Sequence, residues 1–125
     1  MRRRSTTVND STTNVRELRD QIAQFVEERD WRQFHDAKNL SMSIAIEAAE
    51  LMEHFQWVRN DELSVVTDDP GKLAAIREEI ADVGCYLLAL CNTLRLDLST
   101  AIRDKLAQNA RKYPADQYRG RYRLE

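Results

Sequence analysis

Acidic residues recur at one spacing in two separate parts of the chain. Glu47 and Glu50 stand three positions apart, and Glu79 and Asp82 repeat that spacing further along. Because residues three apart on a helix share a face, each pair would present two carboxylates side by side. If the two helices pack antiparallel, the pairs can face each other across a groove, which predicts a cluster of four carboxylates.

Such a cluster requires a cation, because like charges repel and buried charges lose their hydration. Ligation by carboxylates alone suits a hard divalent cation such as Mg²⁺, which prefers oxygen and keeps some of its waters. Phosphate oxygens of a bound substrate would complete the coordination. With more than one Mg²⁺ per site, one ion could activate a water while both stabilise charge on phosphorus. The acids therefore predict metal-dependent chemistry on a phosphorylated substrate.

Two other interpretations of the acids compete with this one. Acidic residues three apart are common on solvated helix faces, so either pair alone favours an ordinary surface. The second pair, on a neighbouring helix, favours a site. A carboxylate-bridged di-iron bundle needs Glu-x-x-His on two helices. The two histidines of the chain, His35 and His54, complete no such motif, which disfavours di-iron chemistry.

Four helices are predicted to position these residues. Apolar residues recur at alternating spacings of three and four, the periodicity of an amphipathic helix. The predicted helices span about 14 to 29, 39 or 41 to 58, 70 to 94, and 97 or 99 to the residue before Pro114. Asp69 followed by Pro70 is typical of a helix start, and the stretch from 59 to 69 is predicted as a loop. The fold class predicted is all-α, with a protomer resembling a four-helix bundle.

Length and composition agree with one small helical domain. The chain has 125 residues, of which 42% are hydrophobic and 32% charged, with three Gly and two Pro. We expect a disordered leader over 1–13, the helical domain over 14–113 and a C-terminal tail over 114–125. A domain of this size buries a modest share of its surface, so we expect helix packing to assemble it into a dimer or tetramer.

Charge and cysteine content indicate which partners and which cellular compartment to expect. The net charge of −2 argues against a nucleic-acid binder, and no apolar run approaches the ~18 residues of a membrane span. Cys85 and Cys91 fall on different sides of one predicted helix and cannot bridge each other within it. Two free thiols suit a reducing cytosol, so a cytoplasmic location is expected.

Several short motifs accompany the acid pattern. They are ERDWRQFH at 28–35, KNL at 38–40, FQW at 55–57 and KLAQNARKYP at 105–114. Together with the acids, over residues 15–120, they resemble the MazG-like all-α nucleoside triphosphate pyrophosphohydrolases, and more narrowly the dCTP pyrophosphatase branch. The resemblance implies hydrolysis of dCTP or a modified dCTP to the monophosphate and pyrophosphate, as a step that cleans the nucleotide pool.

The resemblance also implies roles for individual residues. Glu47, Glu50, Glu79 and Asp82 would bind Mg²⁺, and one of the first two would also orient or deprotonate the attacking water. The residues expected to contact the nucleotide are Trp31, His35, Trp57, Tyr86, Lys105 and Asn109. The implied assembly is a homotetramer, built as a dimer of dimers.

Within that set, the aromatic residues would line the base pocket, and Lys105 and Asn109 would contact phosphate and sugar. Trp57 follows Glu50 by seven residues and Tyr86 follows Glu79 by seven, a spacing that shares a helix face. A core or interface position is the alternative for either tryptophan. For His35 the alternative is a capping or core hydrogen bond.

Two residues depart from the family pattern. His54 stands where an aliphatic residue is common, and it is either a partner of the acids or an exposed histidine. Ile22 stands where animal members of the dCTP branch have a histidine, which bears on base selectivity more than on the reaction. The same chemistry on dUTP or a damaged nucleotide, and a regulatory protein that binds nucleotides without cutting them, are the alternative functions.

Overall fold

All regular structure in the computed structural model, which describes residues 7–124, is helical, and this confirms the predicted all-α class. Six α-helices follow one another in this part of the chain: α1 (Val15–Glu28), α2 (Ala37–Glu53), α3 (Ser64–Thr67), α4 (Pro70–Leu94), α5 (Leu98–Lys112) and α6 (Ala115–Tyr118). Short 3-10 turns at Arg32–Phe34 and Asn60–Glu62 precede α2 and α3. Within the described residues, none of the helices has the length and apolar character needed to cross a bilayer.

Short polar side chains begin the four long helices. Each accepts a hydrogen bond from a backbone N–H at the second or third helical position; they are Asn14, Asp36, Asp69 and Asp97. These caps satisfy donors that have no partner inside the helix. For α4 the predicted start is confirmed, with Asp69 as N-cap and Pro70 in the first turn.

Helix α2 differs from its predicted span at both ends. It is capped by Asp36 and ends at Glu53, whereas the apolar spacing predicted a helix that continued to residue 58. Beyond Glu53 the chain forms tight turns, in which the Val58 N–H donates to the Phe55 carbonyl. An apolar spacing of three fits such turns as well as a helix, so periodicity overran the true end.

Two other regions contain structure that the sequence did not predict. The stretch predicted as a loop holds the second 3-10 turn and α3, whose Val66 is buried. Residues 115–118 of the predicted tail form α6. Of the predicted leader, residues 1–6 lie outside the described residues, and the Asn9 side chain accepts hydrogen bonds from the backbone of Ser11 and Thr12. The predicted boundaries at residues 13 and 113 stay predictions.

The core of the first compact unit, which ends at Arg95, lies between α2 and α4. These helices are antiparallel, because His35, two residues before the start of α2, contacts Thr93 near the end of α4, while Glu50 lies beside Glu79. Helices α1 and α3 pack on α4. The buried apolar side chains are Leu40, Val66, Ile76, Ala89 and Cys91.

A buried polar pair ties α1 to α4. Arg19 is only 5% exposed, and its Nε donates to Asn92 Oδ1 at 2.9 Å. The Asn92 Nδ2 donates in return to the Arg19 carbonyl at 3.0 Å. Because hydrogen bonds have strict geometry, this two-way contact sets the register of α1 along α4.

Arg95 ends α4 in the left-handed conformation, with φ at 55°. The second compact unit begins at Leu96 and contains α5 and α6. In this unit the rings of Tyr113 and Tyr118 meet edge to face, with centroids 5.2 Å apart.

Candidate active site

Three of the four predicted carboxylates converge between α2 and α4. Glu47 and Glu50 of α2 and Glu79 of α4 each offer an oxygen, and these oxygens all lie within 4.8 Å of one another. Ligand oxygens stand about 2 Å from Mg²⁺, so oxygens on opposite sides of one ion are about 4 Å apart. With small side-chain adjustments, the three glutamates can contact a single cation.

The centre of this acid cluster (Glu47, Glu50 and Glu79) contains oxygens that accept no hydrogen bond from any described residue. Glu47 Oε2 and Glu79 Oε2 are both buried, and neither has a hydrogen-bond partner among residues 7–124. Buried carboxylate oxygens are nearly always satisfied, because desolvation without compensation is unfavourable. A donor set made only of carboxylate oxygens, two of them left open, fits a hard divalent cation.

The surroundings of Glu47 change its pKa. Partial burial, followed by its hydrogen bond with Glu50 and repulsion from the charges of Glu50 and Asp82, raises the pKa of Glu47 from 4.5 to about 7. Glu47 therefore keeps its proton up to near neutral pH unless a bound cation displaces the proton.

Asp82 lies one turn beyond Glu79 on α4 and is exposed. Its negative charge contributes to the raised pKa of Glu47. It also adds to the raised pKa of Cys85, for which burial is the larger cause. Asp82 is thus within electrostatic reach of the acid cluster, although the converging oxygens come from the three glutamates. Its role as a fourth ligand stays a prediction.

His54 approaches the acid cluster from the end of α2. Its Nε2 lies 3.8 Å from Glu79 Oε1, and the two side chains are 28% and 20% exposed. Of the two alternatives that the sequence left open for this residue, the partly buried contact favours a partner of the acids. His54 is the residue that follows the last residue of α2, so the helix end at Glu53 determines its place.

A cavity of about 430 Å³ lies at the other end of the α2–α4 pair, with α1 forming one side. Ile22, Val26 and Ala89 contribute apolar surface, whereas His35 and Asn92 contribute polar groups. Ala89 follows Asp82 by seven residues, which corresponds to about 10 Å of helix. The cavity is therefore within the length of one nucleotide of the acids.

His35 is the predicted contact residue that lines this cavity. Its carbonyl accepts a hydrogen bond from Thr93 Oγ1 at 3.2 Å, which anchors the segment before α2 to the end of α4. Its Nδ1 is buried and has no hydrogen-bond partner in the part of the chain that the structure describes. A ligand in the cavity could satisfy this nitrogen.

The three predicted aromatic contacts occupy different settings. The Trp31 ring lies 6.4 Å from the His35 ring, centroid to centroid, and packs edge to face on Phe25. Tyr86 is half-buried on α4, between the acids and Ala89 along the helix. Trp57 is 87% exposed and lies beyond the end of α2. Contrary to the prediction from helical spacing, Trp57 therefore does not share a helix face with Glu50.

Lys105 and Asn109 stand four residues apart on α5 and share a face of that helix. Helix α5 belongs to the second compact unit. Their roles as phosphate and sugar contacts stay predictions.

Sequence patterns missed the buried pair of Arg19 and Asn92 and the cavity beside it. An arginine in an amphipathic helix is expected at the surface, and its partner lies 73 residues away. No local spacing signals such a pair. Ile22 lies in the predicted apolar stripe of α1, and this stripe is the sequence feature that could have indicated the apolar side of the cavity.

Comparisons with known proteins show what this chain is similar to. A model of the MazG-like family matches residues 42–122. The dCTP pyrophosphatase 1 of Homo sapiens is 41% identical over 101 residues, which cover 81% of this chain and 59% of that protein. The dCTP pyrophosphatase 1 of Bos taurus is 38% identical over 110 residues, which cover 88% of this chain and 65% of that protein. The chain thus spans about three fifths of the length of these curated relatives.

One solved structure is similar to this chain, and the similarity extends over nearly the whole length of that structure. It is a pyrophosphatase from Archaeoglobus fulgidus, 39% identical, with a TM-score of 0.73. The match covers 86% of this chain and 99% of that chain.

Proposed function

This chain belongs to the MazG-like family, and we propose that it is a hydrolase that cleaves a nucleoside triphosphate into a monophosphate and pyrophosphate. The observation that carries the proposal is the convergence of three glutamate oxygens within 4.8 Å, at a centre where two buried oxygens have no donor in the described part of the chain. The relatives named dCTP pyrophosphatase 1 support dCTP or a modified dCTP as the substrate.

Mg²⁺ is the proposed cofactor, with more than one ion per site. Glu47, Glu50 and Glu79 would hold it, and Asp82 would serve as the fourth ligand. When bound, the ions would stabilise negative charge on the phosphates and lower the pKa of a water. Among residues 7–124, Glu47 Oε2 and Glu79 Oε2 have no hydrogen-bond partner, which supports this choice because open carboxylate oxygens are the ligands that Mg²⁺ favours.

A glutamate of α2 would prepare the attacking water. Glu47 and Glu50 stand one turn apart on α2, and both carboxylates face the centre of the acid cluster, where a metal-bound water would lie. The Glu47 carboxylate can accept the proton of the water, while Glu50 orients the same water. The reverse division between these two residues is equally consistent with their spacing on α2.

The nucleoside end of the substrate would occupy the cavity beside His35. Apolar surface from Ile22 and Val26 suits a flat heteroaromatic ring, and the nearby indole of Trp31 offers a stacking face. Tyr86, Trp57, Lys105 and Asn109 are proposed as further contacts to base, sugar and phosphate. The polar groups of the cavity would orient the base through hydrogen bonds.

A homotetramer, built as a dimer of dimers, is the proposed assembly. Met42 and Ile46 of α2, and Ile80 of α4, are each more than half exposed. Exposed apolar residues at such spacings on long helices are typical of helix-packing interfaces. The proposed location is cytoplasmic, as suits the thiols of Cys85 and Cys91, which are free in the described chain. No nucleic-acid or membrane partner is proposed.

The test is a product analysis. The protein is incubated with each deoxynucleoside triphosphate, including dUTP and a 5-modified dCTP, with Mg²⁺ or with EDTA. We expect monophosphate and pyrophosphate with Mg²⁺, fastest with a cytosine base, and no product with EDTA. Diphosphate and orthophosphate as products would show that the protein cleaves a different phosphate bond from the one proposed. Tight nucleotide binding without any product would favour the regulatory protein instead.

A further inference from the structure

We propose that His54 is a positioning residue that orients the Glu79 carboxylate, so that one oxygen is held by the imidazole and the other is presented to a cation. The inference rests on the metal site of the proposed function, and it concerns affinity for the metal before any substrate is bound. His54 has not been assigned a role by the resemblance, because the family commonly has an aliphatic residue there.

The two oxygens of Glu79 face different surroundings. Oε1 lies 3.8 Å from His54 Nε2. Oε2 is buried and has no hydrogen-bond partner within residues 7–124. This arrangement divides the carboxylate into an oxygen that the imidazole can hold and an oxygen that is open towards Glu47 and Glu50. Ligating carboxylates are commonly fixed by such outer hydrogen bonds.

The chemistry of the neighbours identifies His54 as the donor. Once a cation has displaced the Glu47 proton, Glu47 and Glu50 act as carboxylate ligands that can only accept hydrogen bonds, so in the metal-bound state they cannot hold the Glu79 carboxylate. A neutral imidazole with its hydrogen on Nε2 can donate one. The separation of 3.8 Å exceeds a hydrogen bond by somewhat under 1 Å, which a small rotation of either side chain removes. Sites of this kind are often loose before their ligands bind.

The backbone places His54 for this contact. His54 follows Glu50 by four residues and keeps helical dihedrals at the end of α2, with φ at −62° and ψ at −23°. The two side chains therefore leave the same face of α2, one turn apart. The end of α2 thus carries Glu50, a proposed metal ligand, and His54 one turn further on, which orients Glu79 on α4.

The experiment measures Mn²⁺ binding to the full chain without nucleotide, at pH 8, by titration calorimetry. The variants are His54→Leu, which removes the donor, and His54→Gln, whose amide nitrogen stands near the position of Nε2. Met52→Leu is the matched control, because Met52 is exposed on the same helical turn. We expect about tenfold weaker binding for His54→Leu, the lower end of what lost outer-shell partners produce. His54→Gln and Met52→Leu should bind nearly as the wild type does.

Steady-state kinetics provide a second readout that a merely structural role would not change. For His54→Leu, the Mg²⁺ concentration that gives half-maximal rate should rise by the same factor, while kcat at saturating Mg²⁺ stays close to wild type. If His54→Leu fails to fold, His54→Asn replaces it, because its donor lies one carbon closer to the backbone and cannot reach Glu79. The Gln variant should then bind Mn²⁺ more tightly than the Asn variant.

Unchanged Mn²⁺ affinity in His54→Leu would overturn the inference, and so would equal affinities of the Gln and Asn variants. A lower melting temperature in EDTA with normal Mn²⁺ affinity would show a structural role and would also overturn it. A wild-type protein that binds no Mn²⁺ would remove this inference together with the metal site. Binding that depends on His54, in a protein that cleaves no triphosphate, would retain this inference and overturn only the proposed function.

Discussion

The acid cluster and the cavity beside His35 occupy opposite ends of the same antiparallel helix pair, yet their chemistry differs. The acid cluster consists of oxygen acceptors, and partial burial, together with the neighbouring carboxylates, raises the pKa of Glu47 to about 7. The cavity combines apolar side chains with polar ones, and the buried Arg19 beside it is hydrogen-bonded to Asn92. One end is thus suited to a cation and the other to an uncharged ring. If the proposed function holds, the helix pair separates the chemistry of cleavage from the recognition of the base.

Glu50→Gln should have the largest effect, because it removes a charged ligand from the acid cluster and keeps its shape. We expect kcat to fall by about 10³-fold, comparable with the loss of one preorganised electrostatic group in other active sites. Pyrophosphate release measures the rate, and circular dichroism checks that the helices are retained. The control is Glu53→Gln, which alters an exposed residue on the same helix. Substantial activity in Glu50→Gln would show that the chemistry is located elsewhere.

Asn92→Leu should affect stability at the cavity end. It removes the two hydrogen bonds between Asn92 and Arg19, which should lower the free energy of unfolding by about 2 kcal/mol. Urea denaturation monitored by circular dichroism measures the change. Mn²⁺ affinity should stay at the wild-type value, because the acid cluster lies at the other end of the helices. A parallel loss of Mn²⁺ affinity would mean that the two ends are not independent.

The pH should act on the acid cluster through Glu47. Because a cation must displace the proton of this group, Mn²⁺ affinity should increase about tenfold between pH 6 and pH 8 for a pKa of about 7. Titration calorimetry at several pH values measures it, and Glu47→Gln is expected to bind weakly at all of them. An affinity that does not vary with pH would contradict the raised pKa.

The same pKa predicts how stability changes with pH in EDTA. The folded protein holds the Glu47 proton more tightly than the unfolded chain, because the pKa is about 7 rather than 4.5. The contribution of this group to stability is therefore complete below pH 4.5 and is lost as the pH rises through 7. The melting temperature of the wild type in EDTA should therefore fall over this pH range. The Glu47→Gln variant should lack this decrease, and Mg²⁺ should reverse it in the wild type.

His35→Ala should have the smallest effect and should be confined to the cavity. The loss of one hydrogen bond to the base predicts a KM about fivefold to tenfold higher, with kcat and Mn²⁺ affinity near wild type. Initial rates over a range of dCTP concentrations separate the two constants. If kcat falls and KM does not, His35 contributes to the reaction and the division between the two ends is wrong.

Local features were predicted accurately where a single turn of chain determines them. The span of α4 from Pro70 to Leu94 agrees with the predicted span of about 70 to 94, because its cap and its apolar spacing are both encoded within a few positions. The end of α2 was not, since Phe55 and Val58 continue the apolar spacing through turns that are not helical. Helix α3 is too short for any periodicity to indicate it.

For the candidate site, the sequence by itself determined which carboxylates stand together on each helix, because a separation of three residues is one turn of any α-helix. Only the tertiary structure decided which of their oxygens converge. The contact of His54 with Glu79 and the pair of Arg19 with Asn92 join residues 25 and 73 positions apart. Their register depends on how whole helix faces fit together, and that fit arises from many weak contacts along α2, α4 and α1 rather than from the spacing within any one of them.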